Sequence, residues 1–373
     1  LFAGFLLTGV VNTLLGPLIP WLTARWRLSD VDAGALFTIQ FAGGLTGGAV
    51  SGAIAARIGV GPTLLIGHAS MAAGVTAVAA GGHVIGAIGM AIAGLGLGFV
   101  IPTTNLMSAR LAPERSAAAL GAVNLCWGIG AAIWPIAVTV SSARGAIPAA
   151  LFAVSALLVA MAAAVVRVPF PREDAHIAAA SGSQGPALVR LAIFGGCIAL
   201  YSGSEAAIGG WITEYARRLG PVGEGEGWEV AASAFWGGVT GGRALVAILL
   251  ARRMETRALF GGCVVVVAGI AILLIAPQRS LILPLAAICG LGFSPVFPVT
   301  VAALAHEFPA RYAGPMVALG SAGAALLPWL VGIVSDWTGS LALGLTTVLV
   351  SAIALLILQV VRCGRVASGF SRK

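Results

Sequence analysis

Twelve mostly apolar stretches, each close to the ~20 residues a helix needs to cross a bilayer, divide this chain. They cover 2–24, 33–56, 63–80, 84–106, 117–140 and 147–166, then 191–215, 230–251, 259–276, 281–304, 316–334 and 341–361. Between the sixth and seventh lies the longest polar stretch, from Arg167 to Pro186, with Pro169, Pro171, Glu173, Asp174 and a Ser-Gly-Ser turn. Such composition makes a linker rather than a packed element. The pattern predicts an all-α integral membrane protein of twelve transmembrane helices, with a six-helix bundle at 1–166, a linker at 167–187 and a second six-helix bundle at 188–373.

The two bundles are written with related words. Phe41 to Gly48 reads Phe-Ala-Gly-Gly-Leu-Thr-Gly-Gly, and 194 residues later Phe235 to Gly242 reads Phe-Trp-Gly-Gly-Val-Thr-Gly-Gly. At a lag of 196, Gly94-Leu95-Gly96, Pro102, Pro113 and Arg115 return as Gly290-Leu291-Gly292, Pro298, Pro309 and Arg311. An even number of spans per copy sends both copies into the membrane in the same direction, which is the parallel-repeat plan of many transporters, with the solute site between the halves. The glycines themselves are expected to serve helix packing, because lipid gives no hydrophobic drive for helices to associate. Pro102, Pro135, Pro298 and Pro328 are expected to kink their helices.

Composition narrows the class. The chain is 59% hydrophobic and 9% charged, against about a quarter charged in soluble domains. The net charge of +8 does not indicate nucleic acid, since the basic residues stand singly at helix ends. With both termini and the linker on one side, that side holds fourteen Arg and Lys and the other six. Cytoplasmic segments carry the excess of positive charge, so the termini and linker are expected in the cytoplasm and the protein in the inner (plasma) membrane. The opening apolar run reads as a membrane helix rather than a cleaved signal, with residues missing before Leu1. Cys126, Cys197, Cys263, Cys289 and Cys363 lack ligand spacing and read as small apolar residues. No nucleotide-binding loop, zinc motif or nucleophile elbow is present, and the four histidines are isolated. The expectation is a non-enzyme without cofactor or metal, whose uphill transport would draw on an ion gradient.

Ionisable side chains inside a bilayer are costly and mark function by default. Two charged ones lie well inside spans, Glu205 midway along the seventh and Arg243 in the eighth. Tyr201, Ser204, Glu205, Ile208 and Trp211 share one helical face, as do Ser233, Trp236, Thr240 and Arg243 on the next span. Glu205 is the candidate for accepting a hydrogen bond from solute, for carrying a proton, or both; with Arg243 it forms the candidate coupling pair. The alternative for this pair is a static ion bridge within the second half. In the first half the candidates are neutral: Asn12 beside Thr8, Asn105 past Pro102, and Asn124 with Trp127 and Trp134, with Gln40 and Trp329 weaker. Amides and hydroxyls beside tryptophan suit an uncharged polyol, which offers hydroxyls at its rim and C–H surface on its face.

These residues carry a resemblance. Tyr201-Ser-Gly-Ser-Glu205 with Gly209-Gly210-Trp211, the Gly242-Arg243 pair, and Asn124-Leu-Cys-Trp127-Gly128-Ile-Gly130 with Pro135 make the chain similar to the major facilitator superfamily over nearly its whole length. Within it the chain most resembles the fucose/glucose/galactose permease group. The resemblance implies a twelve-helix rocker-switch carrier, commonly a proton symporter of hexoses or deoxyhexoses. Two departures stand out. The superfamily's Gly-x-x-x-Asp-Arg-x-Gly loop reads Gly52-Ala-Ile-Ala-Ala56-Arg57-Ile-Gly59, with Ala56 in the acidic position; the acids that fucose permease carries in helices 1 and 4 are missing, Val11 to Pro20 holding none and the helix 4 position falling on Ile101, although Asn105 fits it too.

The function expected is secondary active transport of a small neutral polyhydroxylated solute, a monosaccharide foremost, by rocker-switch alternating access with proton coupling through Glu205. The expected solute contacts are Asn12, Asn105, Asn124, Trp127, Tyr201, Glu205 and Trp236. The partners are then the solute, a proton or other cation and the lipid bilayer, with no nucleic acid, and the protein is a monomer. A proton-linked exporter of drugs or metabolites is the alternative within transport, and a non-transporting membrane sensor the alternative outside it.

Overall fold

The computed structural model describes residues 1–111, 113–168, 170, 188–220, 228–251, 254–308 and 312–370. Residues 169 and 171–187 of the expected linker, and the repeat positions Pro309 and Arg311, lie outside the described residues. The first half comprises α1 (Phe2–Asn12), α2 (Leu15–Trp26), α3 (Asp30–Ile58), α4 (Val60–Ala80), α5 (His83–Leu111), α6 (Ser116–Ser142) and α7 (Ile147–Val166). The second comprises α8 (Leu188–Arg218), α9 (Val230–Ala251), α10 (Glu255–Ile275), α11 (Arg279–Phe293), α12 (Val296–Glu307), α13 (Ala313–Thr338) and α14 (Leu341–Phe370). No strand occurs among the described residues.

Two apolar stretches are each built from two helices. The first is broken between Asn12 and Leu15, where α1 and α2 bend by 43°. The tenth runs Arg279–Glu307 and is interrupted after Phe293. Sequence placed a kink at Pro298, but the interruption sits at Ser294-Pro295, where the Ser294 N–H reaches back three residues to Leu291 O. A proline ring offers no N–H and clashes with the preceding turn, so the ladder breaks just before it. Among the described residues ten helical spans are long and apolar enough to cross a membrane, and the bent α1–α2 pair makes eleven. The expected span at 230–251 is found as α9, a helix of 22 residues that is not among those eleven.

The repeated glycines pack helices inside each half. A Cβ on Gly43 or Gly47 would strike the backbone of α5 at Ala91 or Leu95, and one on Gly94 would strike the Gln40 carbonyl. In the second half Gly238 lies against the Ala287 backbone and Gly290 against the Phe235 carbonyl. The same α3–α5 approach is thus rebuilt as α9–α11.

On the side away from the linker, called here the far side, the halves touch. Gly34 of α3 meets the backbone of Pro328 and Trp329 in α13, Thr38 Oγ1 donates to Ala325 O at 2.6 Å, and Gly332 lies under the Asp30 carbonyl. Ser233 of α9 donates to Ala132 O of α6 at 2.8 Å, and Gly16 of α2 meets Gly209 of α8. Charges reinforce this closure. Arg218 grips both carboxylate oxygens of Asp30 at 2.8 and 2.5 Å, and Ser335 donates to the same group at 2.5 Å. In return Asp336 accepts from the N–H groups of Asp30 and Val31, both at 3.0 Å. A carboxylate of the second half therefore caps the first turn of α3, where the helix leaves unpaired donors and a positive dipole end.

Candidate functional site

A cavity of about 250 Å³ lies between the halves, bounded on the far side by the contacts just described. Its walls come from both halves. The first contributes Asn12 and Thr13 from the α1–α2 break, Phe37 and Phe41 from α3, and Asn124 and Trp127 from α6. The second contributes Tyr201 and Glu205 from α8, Trp236 and Arg243 from α9, and Phe297 from α12.

Of the polar face expected on α8, only part reaches the cavity. Ser204 turns to Ser351 of α14 at 2.9 Å, and the Trp211 indole donates to Pro328 O at 2.9 Å. Tyr201 and Glu205, one turn apart, remain on the wall, and the Tyr201 hydroxyl donates to Glu205 Oε1 at 2.5 Å. The Tyr201 ring is held by Phe293 and Phe297, with centroids 5.8 and 5.6 Å away. This aromatic cage keeps the hydroxyl directed at the carboxylate.

Arg243 is not the bonded partner of Glu205. Its guanidinium stands over the Trp127 ring, 5.3 Å from the centroid, across the boundary between the halves. It remains near enough to act electrostatically on both Tyr201 and Glu205. No ion bridge within 4 Å joins Arg243 to Glu205 in this arrangement, and a cation–π contact with Trp127 holds the cation. Trp127 also meets Trp236 edge to face at 5.6 Å and 84°. Trp236 is 5% exposed and its Nε1 has no hydrogen-bond partner among the described residues. Gly209 makes room for this indole, since a Cβ there would come within 2.6 Å of it.

The neutral candidates divide. Asn124 donates to Leu120 O at 2.8 Å, which fixes its amide and leaves Oδ1 to accept from elsewhere. Asn12 lines the cavity from the end of α1. Asn105 is not brought to the wall: Ile101 is the α5 residue that lines the cavity, and Asn105 lies one turn, about 6 Å, closer to the linker side. Its Oδ1 is buried without a partner. Trp134, expected on the Asn124 face, instead donates to Leu14 O at 3.1 Å.

Sequence reasoning passed over Thr13, Phe37, Phe41 and Phe297. The aromatic residues carry no signal that separates a cavity wall from ordinary packing. For Thr13 the signal was present: Asn12-Thr13 followed by Gly16-Pro17 places a helix end before a new helix start. The Asp30–Arg218 clamp was missed because both residues fall at span ends, where charge is normal.

A family profile described as Major Facilitator Superfamily matches residues 1–322. No curated protein matches the chain in sequence. Among solved structures, that of a mutant of the nucleoside transporter NupG superposes with a TM-score of 0.79 at 14% identity, over 97% of this chain and 98% of that one. A D-xylose-proton symporter gives 0.78 at 14% identity, over 96% and 95%. The inward open conformation of the xylose transporter XylE from E. coli gives 0.75 at 14%, over 95% and 93%. At such identities the likeness is one of fold.

Proposed function

We propose that this chain, which belongs to the major facilitator superfamily, is a proton-coupled carrier of a small neutral polyhydroxylated solute, a monosaccharide foremost, working by rocker-switch alternating access. That it is a multi-pass membrane transporter and not an enzyme follows from the family and fold; the solute, the coupling ion and the residues are the proposal. The observation that carries it is the convergence, in one cavity between the halves, of Asn12, Asn124, Trp127, Tyr201, Glu205, Trp236 and Arg243. Amide and hydroxyl groups there bind ring hydroxyls, the two indoles cover the C–H face, and Glu205 with Arg243 leaves no net charge to be matched by the cargo when both are ionised. The similar structures, those of a xylose symporter and a nucleoside transporter, support a cargo with a sugar moiety.

Glu205 carries the proton in this reading. Its partner Tyr201 belongs to the same helix, while Arg243 stands on Trp127 of the other half. Rocking of the halves draws Trp127 away from Arg243 and frees the guanidinium to turn toward Glu205 within the second half, which changes the carboxyl's affinity for a proton. The fucose/glucose/galactose permease group is the proposed placement within the superfamily, on the residues from Asn124 to Gly130 and Tyr201 to Trp211. The linker side is the cytoplasmic side of an inner membrane, and the carrier acts as a monomer.

The test is a thermal-shift screen of the purified protein with neutral monosaccharides, uridine and amphipathic cations, followed by proton-driven uptake in liposomes. A ligand that binds only the folded state stabilises it by mass action. A shift with a monosaccharide, lost in Glu205→Gln, supports both solute and site. A shift with amphipathic cations alone replaces the sugar reading by the exporter, and binding without flux by the sensor. Full accumulation by Glu205→Gln under a pH gradient removes the proton-coupling role.

A further inference from the structure

We propose that Gln40 is a positioning residue for the solute site, holding the break in the first span in the shape that presents Asn12 and Thr13 to the cavity. The proposal rests on the central cavity being the solute site.

The break is an unusual thing to place inside a bilayer. Backbone groups freed from a helix ladder at that depth find no water and must be satisfied by protein. Here α1 ends at Asn12 and α2 begins at Leu15. Gln40 of α3 reaches across, and its Nε2 donates to Val11 O at 3.0 Å and to Asn12 O at 3.5 Å. Trp134 of α6 serves the other edge through Leu14 O. Two side chains from two helices thus fasten three carbonyl groups around the break, those of Val11, Asn12 and Leu14, of which Val11 O also accepts from the Leu14 N–H at 3.3 Å.

Burial shows that Gln40 is not there for packing. It is 1% exposed, and its Oε1 has no partner. An amide buried with one end unsatisfied costs stability that Met or Leu of similar size would not. The compensation is the pair of bonds to Val11 and Asn12. Around the break, backbones are already in contact: a Cβ on Gly9 would strike the Trp127 carbonyl, and one on Gly16 the Gly209 carbonyl. Asn12 and Thr13 lie between these two fixed points, with Gln40 setting the bend.

The test compares wild type with Gln40→Met and Gln40→Glu in nanodiscs. Nitroxides on Phe2→Cys and Ala24→Cys, exposed positions on the two arms of the bend, report its angle as a distance distribution. D-xylose counterflow reports KM and Vmax. In Gln40→Met the distribution broadens and KM rises about tenfold with Vmax within about twofold, the size expected for one unsatisfied carbonyl. The carboxyl of Gln40→Glu donates only when protonated, so relative to wild type its distribution narrows and its KM falls as pH is lowered. If Gln40→Met does not fold, this pH series decides. An unchanged distribution and KM in a folded Gln40→Met protein, or a Gln40→Glu protein indifferent to pH, overturns the proposal. If wild type shows no D-xylose counterflow, the sugar reading fails, and the label distances alone decide the role of Gln40.

Discussion

Arg218→Ala removes the guanidinium that joins Asp30 across the two halves. The loss falls on that bond because the other partner is covered: Glu214, wholly buried, keeps Arg217 at 2.8 and 2.6 Å. Asp30 keeps only Ser335 and its own place at the start of α3. The two side chains are 33% and 10% exposed, between the exposed pairs that contribute ~0.2–1 kcal/mol and the buried ones whose breaking costs ~3–5 kcal/mol. About 2 kcal/mol is the reasonable figure, which is a factor of about 30 in an equilibrium. Since the clamp exists only when the far side is closed, its loss favours the state open on that side. Nitroxides on Val84→Cys of α5 and Trp337→Cys of α13, 71% and 87% exposed on the far side, read this directly. A longer-distance population should appear or grow by about that factor. Arg218→Lys, which keeps charge but not the two-pronged fork, should fall between. Asp32→Ala, which breaks the capping box of α3 with Ser29 and whose lost hydrogen bonds lie within the first half, should leave the distribution as it was. A folded Arg218→Ala protein with an unaltered distribution would refute the reasoning.

The remaining predictions concern the walls and the seam. Trp127→Ala deprives Arg243 of its ring and Trp236 of its edge contact; the apparent D-xylose affinity should fall about tenfold, in line with ~1–2 kcal/mol for an aromatic and cation–π contact, and unchanged counterflow would remove Trp127 from the site. Gly34→Val and Gly332→Val each place a side chain against backbone of the other half, so both should shift the same Val84–Trp337 distance outward, whereas Gly52→Ala, with nothing within 4 Å, should be silent. An unmoved distance in both valine variants would show that the α3–α13 seam does not set the closure.

What could be read without coordinates follows from where the information is local. Helix α7 is found at 147–166 as expected, because uninterrupted apolar sequence between Arg144 and Arg167 leaves no other solution. Asn124, Trp127, Tyr201, Glu205, Trp236 and Arg243 were identifiable because polar and amphipathic groups at mid-span depth face protein or cavity. Depth along a helix is harder to read than face. Asn105 shares a face of α5 with Ile101 yet lies a turn too far toward the linker side, and periodicity alone does not choose between them. Contacts between distant segments were not readable at all: nothing near Gln40 names Val11, and nothing near Asp30 names Arg218.

The repeat explains why those unseen contacts sit where they do. Matching words place α3 and α9 as counterparts, and their close packing on α5 and α11 inside each half is the same. Each counterpart then crosses to the other half, α3 onto α13 and α9 onto α6, so the closure on the far side has two related seams. Their chemistry differs. The α3–α13 seam is fastened by Arg218 on Asp30 and Asp336 on the helix start, whereas the α6–α9 seam has Thr139 beside Glu229 at 3.4 Å and, deeper, Trp127 against Trp236 and Arg243. One seam is thus locked at its rim and the other lines the cavity. If the solute binds against Trp127 and Trp236 as proposed, it acts on the second seam, and any opening it favours must also release the first, so that the clamp at Asp30 becomes the resistance against which binding at the cavity works.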